Sequence, residues 1–204
     1  MKPSEISCRL TDPGKRVSIK PGEFYVSGGD VIVTTLLGSC VAACLYDPVQ
    51  RVIGMNHFLL SNRRYSKDMP IAITEAGRYG IYAMELVINE MMKLNAQRHN
   101  LRAKVFGGGS VMPTNDGTDN FFCVGDVNIR FIIEFLKNEG IPLVASDLGG
   151  DSGRVIFFCS SDYSVHVKKI QKTINNKLMK REKKFWQKSI EKQDQEVTRA
   201  DIWL

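Results

Sequence analysis

Cys40 and His57 are the residues of this chain whose types and spacing most directly suggest chemistry. Two apolar runs lie between and around them, Val41 to Tyr46 and Val52 to Leu60, separated by the turn-forming segment Asp47-Pro48-Val49-Gln50. A hairpin closed by that four-residue loop makes Tyr46 face Arg51, so that facing positions sum to 97 and Cys40 faces His57. Directly opposed residues of an antiparallel pair have Cβ atoms about 4.5 to 5.5 Å apart, within reach of a thiol–imidazole hydrogen bond. An imidazolium alongside lowers a thiol pKa from its free value of about 8.5 by several units. The thiolate can then attack an amide carbonyl, and the protonated histidine can give its proton to departing ammonia. Gly38 and Ser39, just before the cysteine, allow a tight turn that exposes the sulfur and leaves backbone N–H groups for an oxyanion. The histidine needs an orienting group, and Thr34, Asn56 and Asp147 are candidates by residue type.

The bland reading of a cysteine is a small buried hydrophobe, and it applies to Cys44, Cys123 and Cys159. The five cysteines are odd in number and irregularly spaced, which argues for free thiols rather than a disulfide framework. Nor can Cys40 and Cys44 share a metal if they lie on one strand. Four residues of strand rise separate them by roughly 13 Å, far beyond what two Zn–S bonds of about 2.3 Å span. His99 reads as a surface residue in the polar stretch 97–100, and His166 stands among alternating strand residues.

The elements that must position Cys40 and His57 follow from periodicity. Short strands are expected at Glu23 to Val26, Val31 to Leu37, Val41 to Tyr46, Val52 to Leu60, Leu101 to Phe106, Leu143 to Ala145, Val155 to Phe158 and Val165 to Val167. Helical spacing appears from Thr74 to about Leu94, with Ile81, Met84, Val87, Ile88, Met91 and Met92 on one face. It appears again from Asp126 to Asn138, ended by Gly140 and Pro142. Hairpins mixed with two helices give an α+β domain without regular βαβ alternation. Gly107-Gly108-Gly109 matches neither a dinucleotide fingerprint nor a P-loop.

The net charge of +6 is confined to one end. From Lys168 onward there are eleven Lys/Arg and five Asp/Glu; removing these from the totals of 28 and 22 leaves seventeen of each sign in the body. The body is thus no basic nucleic-acid surface. Residues 1–21 read as a loosely ordered arm, 22–168 as the domain, and 169–204 as a basic helical tail with an apolar stripe at Ile170, Ile174, Leu178 and Phe185. The polar N-terminus lacks a secretory h-region and no apolar run approaches the roughly 18 residues of a membrane span, which together point to a cytoplasmic protein.

The string Leu37-Gly38-Ser39-Cys40-Val41-Ala42-Ala43-Cys44-Leu45-Tyr46-Asp47-Pro48 resembles the signature of the chemoreceptor glutamine deamidase (CheD) family. Gly54 to Leu60, Arg78-Tyr79-Gly80, Ala103 to Gly109, Gly125 with Asn128, Glu139 to Pro142, Asp147 to Gly150 and Gly153-Arg154 continue the resemblance in order, over about residues 22–168. It implies a three-layer α/β/β sandwich of the CheD and necrotizing-factor deamidase type. It implies Cys40 as nucleophile, His57 as general base and acid, and Thr34 as the group orienting the histidine. Gly38, Ser39, Asn56, Gly107 and Gly108 are the candidates for substrate or oxyanion contacts. The implied reaction converts receptor glutamines to glutamates through a thioester, with no metal or organic cofactor. The implied partners are the helical cytoplasmic domains of chemoreceptors, with a CheC-type phosphatase as a further one and recruitment to receptor arrays as the setting. Val127 stands where the family element carries Arg, which keeps open a binding module without turnover. A glutamyl methylesterase would use the same thioester route.

Overall fold

The computed structural model describes residues 15–60, 75–110 and 124–170, with Lys184 and Gln187. The first fourteen residues, most of the basic tail, the segments 61–74 and 111–123, and with them Cys8 and Cys123, lie outside the described residues. Nine strands and two α-helices are formed within them: β1 (Lys15–Ser18), β2 (Phe24–Ser27), β3 (Val31–Leu37), β4 (Val41–Asp47), β5 (Val52–Asn56), α1 (Glu75–Lys93), β6 (Arg102–Gly107), α2 (Val124–Asn138), β7 (Leu143–Leu148), β8 (Arg154–Cys159) and β9 (Val165–Lys169). The mixed α+β class expected from periodicity is what the chain adopts. The strands form two sheets, one ordered β1-β3-β8-β9 and the other β2-β5-β4-β6-β7.

β4 shows why the alternation expected of a half-exposed strand is missing. All seven of its residues are buried. Val41, Ala43 and Leu45 pack with Met84, Val87, Ile88, Met91, Phe131 and Leu136 of the helices. Cys40, Ala42, Cys44 and Tyr46 pack instead with Val31, Val33 and Leu37 of β3 and Ile156 and Phe158 of β8. A strand covered on both faces reads as a continuous apolar run. β5 obeys the same parity: a side chain at Gly54 would meet Met91 Sδ at 2.7 Å, whereas Ile53 and Met55 belong to the cluster between the sheets. Gly80 likewise lets α1 approach α2, since a Cβ there would lie 2.5 Å from the Phe131 ring. Truncating a core side chain such as Met84 or Ile88 to Ala costs about 2 to 5 kcal/mol at such sites.

Three local expectations change. Residues 15–18, inside the stretch read as an arm, form β1, which pairs in parallel with β3 from Lys15↔Val31 to Ser18↔Thr34. Only Val17 of the four is apolar, so pattern could not reveal a strand made by its partner. β5 ends at Asn56 instead of running to Leu60, and an isolated Val41↔Phe58 bridge follows it. Cys159 is disulfide-bonded, which corrects the expectation of free thiols throughout; Cys40 and Cys44 take part in no disulfide. No helix among the described residues is long and apolar enough to cross a membrane.

Candidate active site

The loop joining β3 to β4 is tied down by its carbonyls. Gly38 O accepts from Gly109 N–H at 2.6 Å and Cys40 O from Gly108 N–H at 2.7 Å. Ser39 O, between them, accepts from the Asn128 side-chain amide at 2.9 Å. Gly107 at φ 115° and Gly108 at φ 67° hold a conformation that other residues rarely adopt, and a Cβ on Gly107 would lie 2.1 Å from Cys40 O. These glycines therefore seat the cysteine loop. The Gly108 N–H expected at an oxyanion is engaged by the carbonyl of Cys40 itself. The Gly107 to Gly109 turn is in turn held by the next loop, through Gly149 N–H on Gly107 O at 2.9 Å and Ser110 N–H on Gly150 O at 2.7 Å.

Arg154 supports that second loop from below. It is 2% exposed, donates to the carbonyls of Asp147 and Gly149, and lies 2.8 Å from the Asp147 carboxylate. Asp147 is thus committed to Arg154, which corrects its candidacy as the histidine's partner.

The β4–β5 register differs from the expected one. Cys44 faces Met55, Leu45 faces Gly54, Tyr46 faces Ile53 and Asp47 faces Val52, so facing positions sum to 99. The reason is the turn. Asp47 Oδ1 accepts from Val49 N–H at 2.8 Å and Gln50 N–H at 3.0 Å, and Arg51 takes φ 56°, so the loop comprises residues 48–51. In this register His57 lies across from Ala42, and Cys40 is its diagonal neighbour. A shift of two preserves the face, so cysteine and histidine still share the surface between the sheets. Such diagonal neighbours have Cα atoms about 7 to 8 Å apart and Cβ atoms somewhat closer.

His57 is 1% exposed, and its Nδ1 lies 2.7 Å from Thr35 Oγ1. The Thr35 hydroxyl also donates to Ile19 O at 2.8 Å. A threonine hydroxyl has one proton. With that proton on the Ile19 carbonyl, the oxygen accepts from Nδ1–H, which makes Nε2 the ring nitrogen without a proton in the neutral imidazole. The threonine that meets His57 Nδ1 is therefore Thr35. Thr34 was the expected one, but strand alternation sends odd residues of β3 inward with Val33 and Leu37, and places Thr34 on the outer face with Ile32. Asn56, the other candidate, turns to the helix side. Its Oδ1 accepts from Ala43 N–H at 3.1 Å and its Nδ2 donates to Ala83 O at 3.1 Å. It braces β4, β5 and α1 without facing His57's ring.

Cys40 itself is wholly buried, against the expectation that the Gly-Ser turn exposes it. The loop enters the space between the sheets instead of projecting from it. Asn128 enters the sequence reading only through the resemblance and without a role; an Asn inside an otherwise apolar helical face, with Val124, Val127, Phe131 and Ile132 around it, was the available signal for one. A cavity of about 70 Å³ beside His57 is lined by Glu23, Phe24, Asn56, Tyr79, Tyr82 and Leu86, on the α1 side of the second sheet. Among the described residues no three His, Cys, Asp or Glu side chains converge as metal ligands do.

Comparison with known proteins bears on the chain as a whole. The family model described as CheD, chemotactic sensory transduction, matches residues 59–169. A protein of Geobacter sulfurreducens named probable chemoreceptor glutamine deamidase CheD 1 is 52% identical over 188 residues, covering 92% of this chain and 94% of that protein. One of Shewanella oneidensis named probable chemoreceptor glutamine deamidase CheD 2 is 49% identical over 151 residues, 74% of each chain. Among solved structures, the hypothetical protein YfiH of Bacillus licheniformis aligns with a TM-score of 0.34 and 14% identity over 61% of this chain and 49% of that one, too distant to bear on fold or function. The extent and identity of the curated matches settle the family: the chain belongs to the CheD family of chemotactic sensory transduction proteins.

Proposed function

We propose that this chain is a protein-glutamine deamidase that converts glutamines of chemoreceptors to glutamates, with Cys40 as nucleophile, His57 as base and acid, and Thr35 as the group that orients His57. Family membership and the names its relatives carry support the activity. The single observation that carries the mechanism is the chain from Ile19 O through Thr35 Oγ1 to His57 Nδ1, which commits Nε2 to proton exchange on the face it shares with Cys40.

In this mechanism His57 Nε2 takes the Cys40 thiol proton. The thiolate attacks the glutamine side-chain carbonyl, and the carbon–nitrogen bond breaks as the imidazolium protonates the leaving group. Ammonia departs and a thioester remains. His57 then deprotonates a water that attacks the thioester, which releases glutamate and returns the thiol. Thr35 keeps Nδ1 protonated throughout, the role an orienting group plays in a nucleophile–base pair. Gly38 and Ser39 shape the loop in which an oxyanion would form.

The layered clusters, sheet against sheet and sheet against helices, support a three-layer α/β/β sandwich of the CheD and necrotizing-factor deamidase type. The domain, which takes in β1 at its start and β9 at its end, acts in the cytoplasm on the helical receptor domains, at receptor arrays. A CheC-type phosphatase is proposed as a second partner, and the basic tail as an appendage.

The test is mass spectrometry of a cognate receptor cytoplasmic fragment incubated with the wild type and with Cys40→Ala. Glutamine-to-glutamate conversion by the wild type alone is expected. Binding without conversion by either would favour the non-catalytic module, and release of methanol from a methylated fragment would add esterase activity at the same thiol.

A further inference from the structure

We propose that Asn128 is a positioning residue of the active site, a clamp whose carboxamide sets the separation between the strand segment carrying Cys40 and the segment carrying His57. The proposal rests on the deamidase reading of that pair. Asn128 is the fifth residue of α2, and its side chain is fully buried. Its Nδ2 donates to Ser39 O at 2.9 Å, one residue before the nucleophile. Its Oδ1 accepts from Leu60 N–H at 2.8 Å, three residues after the base. The orientation of the amide is forced. Exchanging its oxygen and nitrogen would set donor against donor at Leu60 and acceptor against acceptor at Ser39.

The need for such a clamp lies in the β4–β5 ladder. Register is carried from the turn by pairs down to Cys44↔Met55. At the next step the ladder is interrupted, because Ala43 N–H bonds to the Asn56 side chain instead of the Asn56 backbone. Beyond the interruption, only the Val41–Phe58 pair, at 3.0 and 2.9 Å, joins the two chains by backbone bonds. Cys40 and His57 flank that pair diagonally. The chain just past His57 no longer belongs to β5, and Asn128 supplies the second point that fixes it relative to Cys40. Two points define a separation and an angle where one defines only a pivot. A carboxamide donates on one side and accepts on the other at this distance whatever the pH. Leucine does neither, and an ionised aspartate cannot donate.

The clamp is tested in the full chain with Asn128→Ser and Asn128→Ala, each checked for fold by circular dichroism and scored per folded molecule. Two readouts are taken: kcat and KM on the receptor fragment, and the pH dependence of Cys40 alkylation by iodoacetamide, followed by mass mapping. The expected result is a fall in kcat of roughly ten- to a hundredfold with KM little changed. The alkylation midpoint moves toward the value of about 8.5 of an unassisted thiol. Asn128→Asp sharpens the test, because a protonated carboxyl both donates and accepts: its activity relative to wild type should recover as pH is lowered. Folded variants with wild-type kcat and a wild-type alkylation profile would overturn the clamp and leave Asn128 a packing residue. Should the wild type convert no glutamine at all, the deamidase reading fails, and the alkylation profiles still decide whether Asn128 positions the thiol against the imidazole.

Discussion

The two ends of the segment Cys40 to Cys44 carry the same residue in the same setting by every coarse measure, and they differ in what surrounds it. Cys40 and Cys44 are both wholly buried, both outside any disulfide, and both on the face turned toward the other sheet. Cys44 is a paired strand residue, opposite Met55 on one side and Lys104 on the other. Burial pushes its thiol far above the ordinary value, and the charge of Lys104 offsets this only in part. Cys40 lies one residue outside the strand, in a loop whose three carbonyls are each held by a hydrogen bond, diagonal to an imidazole with an assigned tautomer. Burial alone makes a cysteine inert. What makes one reactive is a polar partner admitted into the same apolar layer, with every one of that partner's own bonds accounted for.

The largest effect that sharpens this contrast is Cys40→Ala. It should remove all turnover while shifting stability by no more than about 1 kcal/mol, because a thiol-to-methyl change is small; denaturant unfolding beside the receptor assay checks both halves. Next comes the histidine's support. Thr35→Val strands Nδ1–H and the Ile19 carbonyl, which costs about 1 to 3 kcal/mol of stability and should lower kcat by roughly tenfold or more. Thr34→Val, one residue away on the outer face, should leave kcat near wild type; the reverse ranking would return the role to Thr34. A milder probe is chemical: mass-mapped alkylation near neutral pH should label Cys40 well before Cys44, and equal rates would erase the distinction between the two ends.

The smallest effect concerns the Cys44 end. Burial by itself would raise the Asp47 pKa, but N–H bonds from Gln97, Gln50 and Val49, with the Asn100 side chain, outweigh it and hold the carboxyl below its ordinary value. A group whose folded pKa is depressed stabilises the fold in full above its unfolded pKa, near 4, and loses that contribution as pH falls through the folded value. Asp47→Asn should therefore be less stable than wild type at neutral pH, with the gap closing in acid. A gap that stays constant with pH would mean the turn, not the charge, is what Asp47 provides.

Cys40 and His57 were legible in the sequence because side chains alternate with period two. The hairpin reading missed the register by two positions, yet an even error leaves both residues on one face. The helices were legible from their apolar spacing, to within two residues at α2's start and one at α1's. β1 was not, since a strand with a single apolar residue exists only because β3 offers it a ladder.

By itself, the sequence determined the α+β class and the common face of Cys40 and His57, both properties of local period and residue type. Which threonine meets the histidine was decided only when one face of β3 packed against the second sheet. Asn128 and Arg154 acquired their tasks in the same way, from segments far away in the chain. A hydrogen-bond partner across two sheets or from a helix is fixed by the packing of whole elements, and no spacing along one strand encodes it.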